Sequence, residues 1–332
     1  MLDKFRSAKL PVLTVALSSA LLLAACGGDG NNNNENADAP NNNNNNNNNN
    51  GEETVELGGE DITIPYVAWA GSTSRSPVLA KALEEVGYNV SLDQVEGGPM
   101  WTSVADDEDT LSATAWLPAT HGEYLDEYED DVEVYDEANL VDTAPLSLTV
   151  PEYMIDEYDI ESIEDLKDNE ELGEDLDWTI TGIDPGAGIM ENTEKAIENY
   201  ELDDWNLQES SEAAMIADLQ EKYENEEPII VTGWEPHWIF ADMDLEMLED
   251  PDEIYGGEGD QIQMIFNKDF EEAHPAAYKI ATQFVEDWSE DDEDELMPPI
   301  FVDDEDPEDV AQQFIDDNPD RLETWTEGVD VE

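Results

Sequence analysis

From residue 61 onward, short apolar runs alternate with stretches whose apolar residues recur every three or four positions. That alternation reads as strand followed by helix. Residues 62–68 form the first predicted strand, and Pro77 opens a helix that sets Val78, Leu79, Ala82, Leu83 and Val86 on one side and stops at Gly87. Strands over 90–95, 111–115 and 146–150 follow, with short helices between them. The pattern restarts with a strand over 178–183, runs through helices over 188–200 and 213–223, and reaches a strand over 228–232. Repeated strand and helix predicts an α/β class with mostly parallel sheets. Two such runs of roughly a hundred residues predict two lobes. Residues 61–150 with 262–332 make the first lobe and 151–261 the second, with 146–150 and 262–266 as candidate crossings between them. Ligands of open α/β sheets sit at the carboxyl ends of strands, so the interlobe cleft is the expected site.

The first 60 residues do not share this pattern. Residues 1–25 join Lys4, Arg6 and Lys9 to an apolar run over 10–23, which reads as a secretory signal peptide and is too short for a stable membrane span. The run ends Leu23-Ala24-Ala25-Cys26, which resembles a bacterial lipobox, where the cysteine sulfur takes a diacylglycerol and becomes the first residue after cleavage. Cys26 is the only cysteine, so no internal disulfide is expected. Residues 26–60 then read as a tether rich in Gly, Asn and Glu, a composition that cannot bury enough apolar surface to fold and that reaches roughly 30 Å. The expected location is extracytoplasmic, anchored to the cell membrane through the lipid.

Charge changes the picture of the surface. Against 88 Asp and Glu stand 11 Lys and Arg, a formal charge of -77 spread through the periodic segments. Nucleic acid is excluded as an electrostatic partner, and a surface of this kind is suited to brine, where salt screens its self-repulsion. Chemistry that needs a nucleophile and a base is poorly supplied by three histidines, His121, His237 and His274. No G-x-S-x-G, H-E-x-x-H, phosphate-binding or dinucleotide-binding glycine motif and no calcium-loop spacing occurs. The chain is therefore expected to bind and not to catalyse, with neither cofactor nor metal. An acidic cell-surface protein that binds divalent cations or other proteins is the competing class.

Three tryptophans stand at strand ends or in Gly- and Pro-containing turns: Trp101 in Pro99-Met100-Trp101, Trp116 in Ala115-Trp116-Leu117-Pro118, and Trp234 in Gly233-Trp234-Glu235-Pro236-His237-Trp238. Any single Trp ordinarily packs in the core. Three in equivalent places on two lobes instead fit an aromatic box, which attracts a quaternary ammonium without offering the carboxylate that an alkali cation would take. The turn Asp184-Pro185-Gly186-Ala187-Gly188-Ile189-Met190 follows a strand and opens a helix, so its main-chain N–H groups could receive a carboxylate, although such turns are also common as plain geometry. His121 could add a hydrogen bond, or simply pack.

Together with Tyr66-Val67-Ala68-Trp69, Val95-Glu96-Gly97-Gly98-Pro99-Met100-Trp101 and Thr120-His121, these segments resemble the glycine betaine/proline betaine substrate-binding proteins of ABC transporters, over residues 62–328. The resemblance implies a two-lobe, Venus-flytrap, periplasmic-binding-protein fold of type II that delivers glycine betaine or a related betaine to ABC permease subunits for osmoprotection. It further implies a prism of Trp101, Trp116 and Trp234 around the trimethylammonium, with the ligand carboxylate on the N–H groups of Gly188 and Ile189 and on His121. Trp69 and Trp238 are assigned to packing. Glu235 stands where the motif expects a neutral residue, and Ala119 where it expects a polar one. The lipobox generates a test: Cys26→Ala should fold and bind yet no longer sediment with membranes, and unchanged sedimentation would refute lipidation.

Overall fold

A two-stranded and a four-stranded sheet, joined by a single bridge and taken together as the first sheet, and a five-stranded second sheet organise residues 55–329, the part of the chain that this computed structural model describes. The signal segment, Cys26 and the tether up to residue 54 lie outside the described residues. In the first sheet β1 (Asp61–Tyr66) pairs in parallel with β2 (Asn89–Gln94) and touches the approach to β3 (Leu111–Leu117) through a Thr63–Thr110 bridge. β4 (Val132–Val134) and β5 (Val141–Ala144) complete it by pairing with β11 (Asp260–Asn267), which also pairs with β3. The second sheet has the order β10–β6–β9–β7–β8, from β6 (Leu146–Pro151), β7 (Thr179–Thr181), β8 (Asn206–Gln208), β9 (Val231–Trp234) and β10 (Leu245–Met247). Every residue of β3, β6 and β9 is buried, because helices cover the sheets and leave no polar face on their central strands.

Three features depart from the sequence reading. Most ladders are antiparallel, not parallel: the strands that adjoin the crossings, β6 and β11, run against their neighbours β9, β10, β3, β4 and β5. The crossings themselves are tighter than expected. β5 belongs to the first sheet and β6 wholly to the second, so the chain passes between them at Pro145, which has no N–H to continue a ladder. The return precedes β11 at Gly259, whose φ of +104° and whose packing, with a Cβ position only 2.8 Å from Pro145 N, both require glycine. An apolar run of six residues marks a buried strand but carries no information about which sheet receives it.

The third departure is the first helix, which spans Ala70–Glu85 and begins seven residues before Pro77. Apart from Arg75, its first two turns are built from Ala, Gly, Ser and Thr, which lack the apolar period but can sit flush against the core, and all except Thr73 are buried. From the second of these turns, the fully buried Arg75 pairs with the equally buried Glu293 on the helix Glu290–Phe301, and Arg75 Nε donates to the Ala113 carbonyl of β3 at 2.6 Å. Removing one member of such a pair leaves an uncompensated buried charge. Glu293→Ala should therefore lower stability by about 3–5 kcal/mol, read as a denaturant midpoint in molar potassium chloride; a change below about 1 kcal/mol, the scale of an exposed pair, would show that the pair is hydrated.

Candidate functional site

Where the two lobes meet, a cavity of about 250 Å³ is lined by Trp69, Trp116, Thr120, Leu146, Ile183, Ala187, Gly188, Ile189 and Trp234. Each ring stands at the end of a strand or just beyond it. Trp69 follows β1 and occupies the N-cap of the Ala70–Glu85 helix, Trp116 is the penultimate residue of β3, and Trp234 is the last of β9. All three are at most 6% exposed, so the indoles are held by packing before anything enters. No carboxylate contributes to the lining, which is notable in a chain with 88 of them. Aromatic walls without a carboxylate suit a compact cationic group.

Another part of the wall is a helix end. Ala187 caps the helix Gly188–Asn199, and the first-turn N–H groups of Gly188 and Ile189 have no acceptor within that helix. A Cβ on Gly188 would lie 2.1 Å from the Thr120 carbonyl oxygen of the other lobe, so only glycine allows this approach. The Thr120 turn is itself fixed by a fully buried carboxylate: Asp260 Oδ1 accepts the Ala119 N–H at 2.6 Å and Oδ2 accepts the Thr120 N–H at 2.9 Å. Asp260 was not singled out in the sequence, where one acid among so many carries no signal. At the mouth of the helix, burial pushes the Asp184 carboxyl up from its ordinary value.

His121 is clasped to Trp116. Its N–H donates to the Trp116 carbonyl at 2.8 Å, and its Nδ1 accepts the Trp116 N–H at 3.0 Å. Burial pushes its pKa down to about 3, so the ring is neutral at pH 7, and because Nδ1 accepts, the proton resides on Nε2. That Nε2 is buried with no partner. The ring lies parallel to Trp69, with centroids 5.8 Å apart.

The structure thus brings together Trp116, Trp234, Gly188 and Ile189, with His121 stacked on Trp69. It does not bring Trp101 to the cavity. Trp101 is fully buried in the helix Gly97–Asp106, stacked on Tyr124 at 6.2 Å and edge-on to His121 at 5.9 Å, where it backs the histidine. Trp69, assigned to packing, takes the third side of the cavity instead. Its signal was the same as that of Trp116 and Trp234, a tryptophan where a strand gives way to the next element. Trp238 packs as expected, parallel to Phe301 at 6.3 Å. Glu235 faces away from the cavity, into a neighbouring depression of about 970 Å³ shared with Glu290 and Asp294, where burial first and the Asp294 charge second push its carboxyl up. Among the described residues no group of His, Cys, Asp and Glu could hold a metal ion.

Comparison with known proteins places this geometry. Residues 60–317 match the family described as the substrate binding domain of the ABC-type glycine betaine transport system. A stretch of 162 residues, 48% of this chain, is 45% identical to the glycine betaine/carnitine transport binding protein GbuC of Listeria monocytogenes and spans 53% of that relative. The fold superimposes on lactococcal OpuAC in its closed conformation with glycine betaine, with a TM-score of 0.72 and 31% identity over 81% of this chain and all of that one. It also superimposes on the glycine betaine, L-proline-binding protein ProX of Borrelia burgdorferi, with a TM-score of 0.74 and 29% identity over 80% and 96% of the two chains. The fold is that of the type II periplasmic binding proteins, with two lobes.

The buried histidine generates a pH prediction. An unfolded His titrates near 6.5 and the folded one near 3, so between these values the unfolded chain holds the extra proton. Stability therefore falls as pH drops from 6.5, by up to about 1.4 kcal/mol per unit from this group alone. His121→Gln should flatten the slope of the denaturant midpoint between pH 6.5 and 5, above the range where most carboxylates titrate. An unaltered slope would mean that His121 is charged or hydrated in the fold.

Proposed function

Because the chain belongs to the substrate-binding family of ABC-type glycine betaine transport systems, matched over residues 60–317, we propose that its cavity captures glycine betaine or a related quaternary-ammonium zwitterion for an ABC importer. In this reading the protein works outside the cytoplasm, tethered through lipidated Cys26, and supplies the cell with a compatible solute in salt. The observation that carries the proposal is the cavity lining: three indoles from two lobes and no carboxylate. Ring quadrupoles attract a trimethylammonium group, while the absence of an anionic oxygen gives sodium and potassium nothing to coordinate. At the other end, the N–H groups of Gly188 and Ile189 at a positive helix terminus suit a carboxylate, and His121 Nε2–H is a donor without a partner. Cation and anion of a short zwitterion then meet opposite walls, and the ligand must enter one way round.

Titration calorimetry in molar potassium chloride tests this reading. A desolvated cation–π contact is worth up to about 2 kcal/mol, so Trp69→Ala, Trp116→Ala and Trp234→Ala should each weaken glycine betaine tenfold or more, while Trp101→Phe should cost far less. Choline presents the same ammonium with only a hydroxyl behind it, and should bind roughly ten to a hundred times more weakly because buried donors lose their acceptor. His121→Ala should narrow that gap. Parent-like binding by two of the three alanine variants would remove the cage, and equal affinity for choline and betaine would remove the carboxylate end.

A further inference from the structure

One buried carboxylate spans the cleft next to the cavity and takes no part in lining it. Glu212, only 5% exposed, is the first residue of the helix Glu212–Glu224 in the second lobe. Its Oε1 accepts the Ala70 N–H at 3.1 Å, from the start of the first lobe's Ala70–Glu85 helix, and also the His237 Nε2–H at 3.1 Å. The proton is on Nε2 because His237 Nδ1 accepts the Ile239 N–H at 3.3 Å. Glu212 Oε2 has no partner.

The arrangement is specific in two ways. The Ala70–Glu85 helix has no capping side chain of its own and no acid in its first turn, despite the acidity of the chain. Two helix N-termini thus meet across the cleft, each carrying partial positive charge, and the carboxylate between them comes from the opposite lobe. Each of its two donors is also tied to a cavity wall: Ala70 directly follows Trp69, and the His237 ring stands edge-on to Trp234 at 5.1 Å.

We propose that Glu212 is an interlobe latch, a positioning residue that holds the Trp69 and Trp234 walls together over a bound ligand. With the lobes apart, the Ala70 N–H and the carboxylate are both free to bind water; with the lobes together, each is the other's replacement for that water. The Ala70 bond therefore contributes to the closed state alone and acts chiefly on ligand release, whereas the His237 bond lies within the second lobe and holds in both states. It rests on the capture of a betaine proposed above.

Stopped-flow tryptophan fluorescence on the full chain in molar potassium chloride, with glycine betaine as ligand, tests the latch. A hydrogen bond to a charged group supports a roughly ten- to hundredfold change in rate. Glu212→Ala should accelerate dissociation by that factor and leave association as in the parent, while His237→Ala, which keeps the Ala70 bond, should accelerate dissociation far less. Glu212→Gln, which keeps a neutral acceptor, should fall between Glu212→Ala and the parent. Dissociation from Glu212→Ala at the parent rate overturns the latch, and so does a ligand-free variant that fails to fold, since that makes Glu212 a structural residue of one lobe. A parent that binds no betaine overturns the proposed function and the latch with it, which separates that failure from one of the latch alone.

Discussion

The Thr120 carbonyl and the Gly188 backbone come so close that no Cβ fits between them, and this contact fixes how the two lobes can meet. It brings a strand-end turn of the first lobe onto a helix N-terminus of the second, with Trp116 on one flank and Ile189 on the other. Once these main chains touch, the remaining walls have little freedom. Trp69 and Trp234 complete the enclosure because each sits where its strand points at the cleft.

An acidic protein meets a particular difficulty at such a contact. Carboxylates on two approaching surfaces repel, and a formal charge of -77 leaves few neutral patches to bring together. Near the cavity the solution is to use acids only where N–H donors surround them. Asp260 accepts two backbone donors of the Thr120 turn, and Glu212 accepts a helix N-terminus and a histidine. Acids without such donors, Glu235, Glu290 and Asp294, are left to an open depression beside it. Charge that is surplus on the outer surface thus becomes, at these two buried positions, the means of fixing a turn and a helix end.

The two histidines of the cleft are held as Nε2 donors by the same device. In each, Nδ1 accepts a nearby main-chain N–H and leaves the proton on Nε2. The outcomes differ because the surroundings differ: His237 Nε2 meets Glu212, whereas His121 Nε2 has no partner among the described residues. Trp101 contributes by backing His121, so its ring sets the orientation of a donor without lining the cavity.

The sequence alone determined the alternation of strand and helix, because burial of apolar side chains imposes periods of two and 3.6 on local stretches. It also marked the turns at Trp116, Gly188 and Trp234, where Gly, Pro and aromatic residues at strand ends have few other uses, and these share one cavity. It did not separate Trp69 from Trp101. Both are fully or nearly buried, and which ring faces the cleft depends on how its helix is rotated against β3 and His121, a matter of packing between distant segments. Nor did it distinguish Asp260 and Glu212 from the other acids, assign β6 to the second sheet, or give its ladders their antiparallel sense. A carboxylate gains a role only from the donors that tertiary structure brings to it, and those donors lie 140 and 142 residues away along the chain.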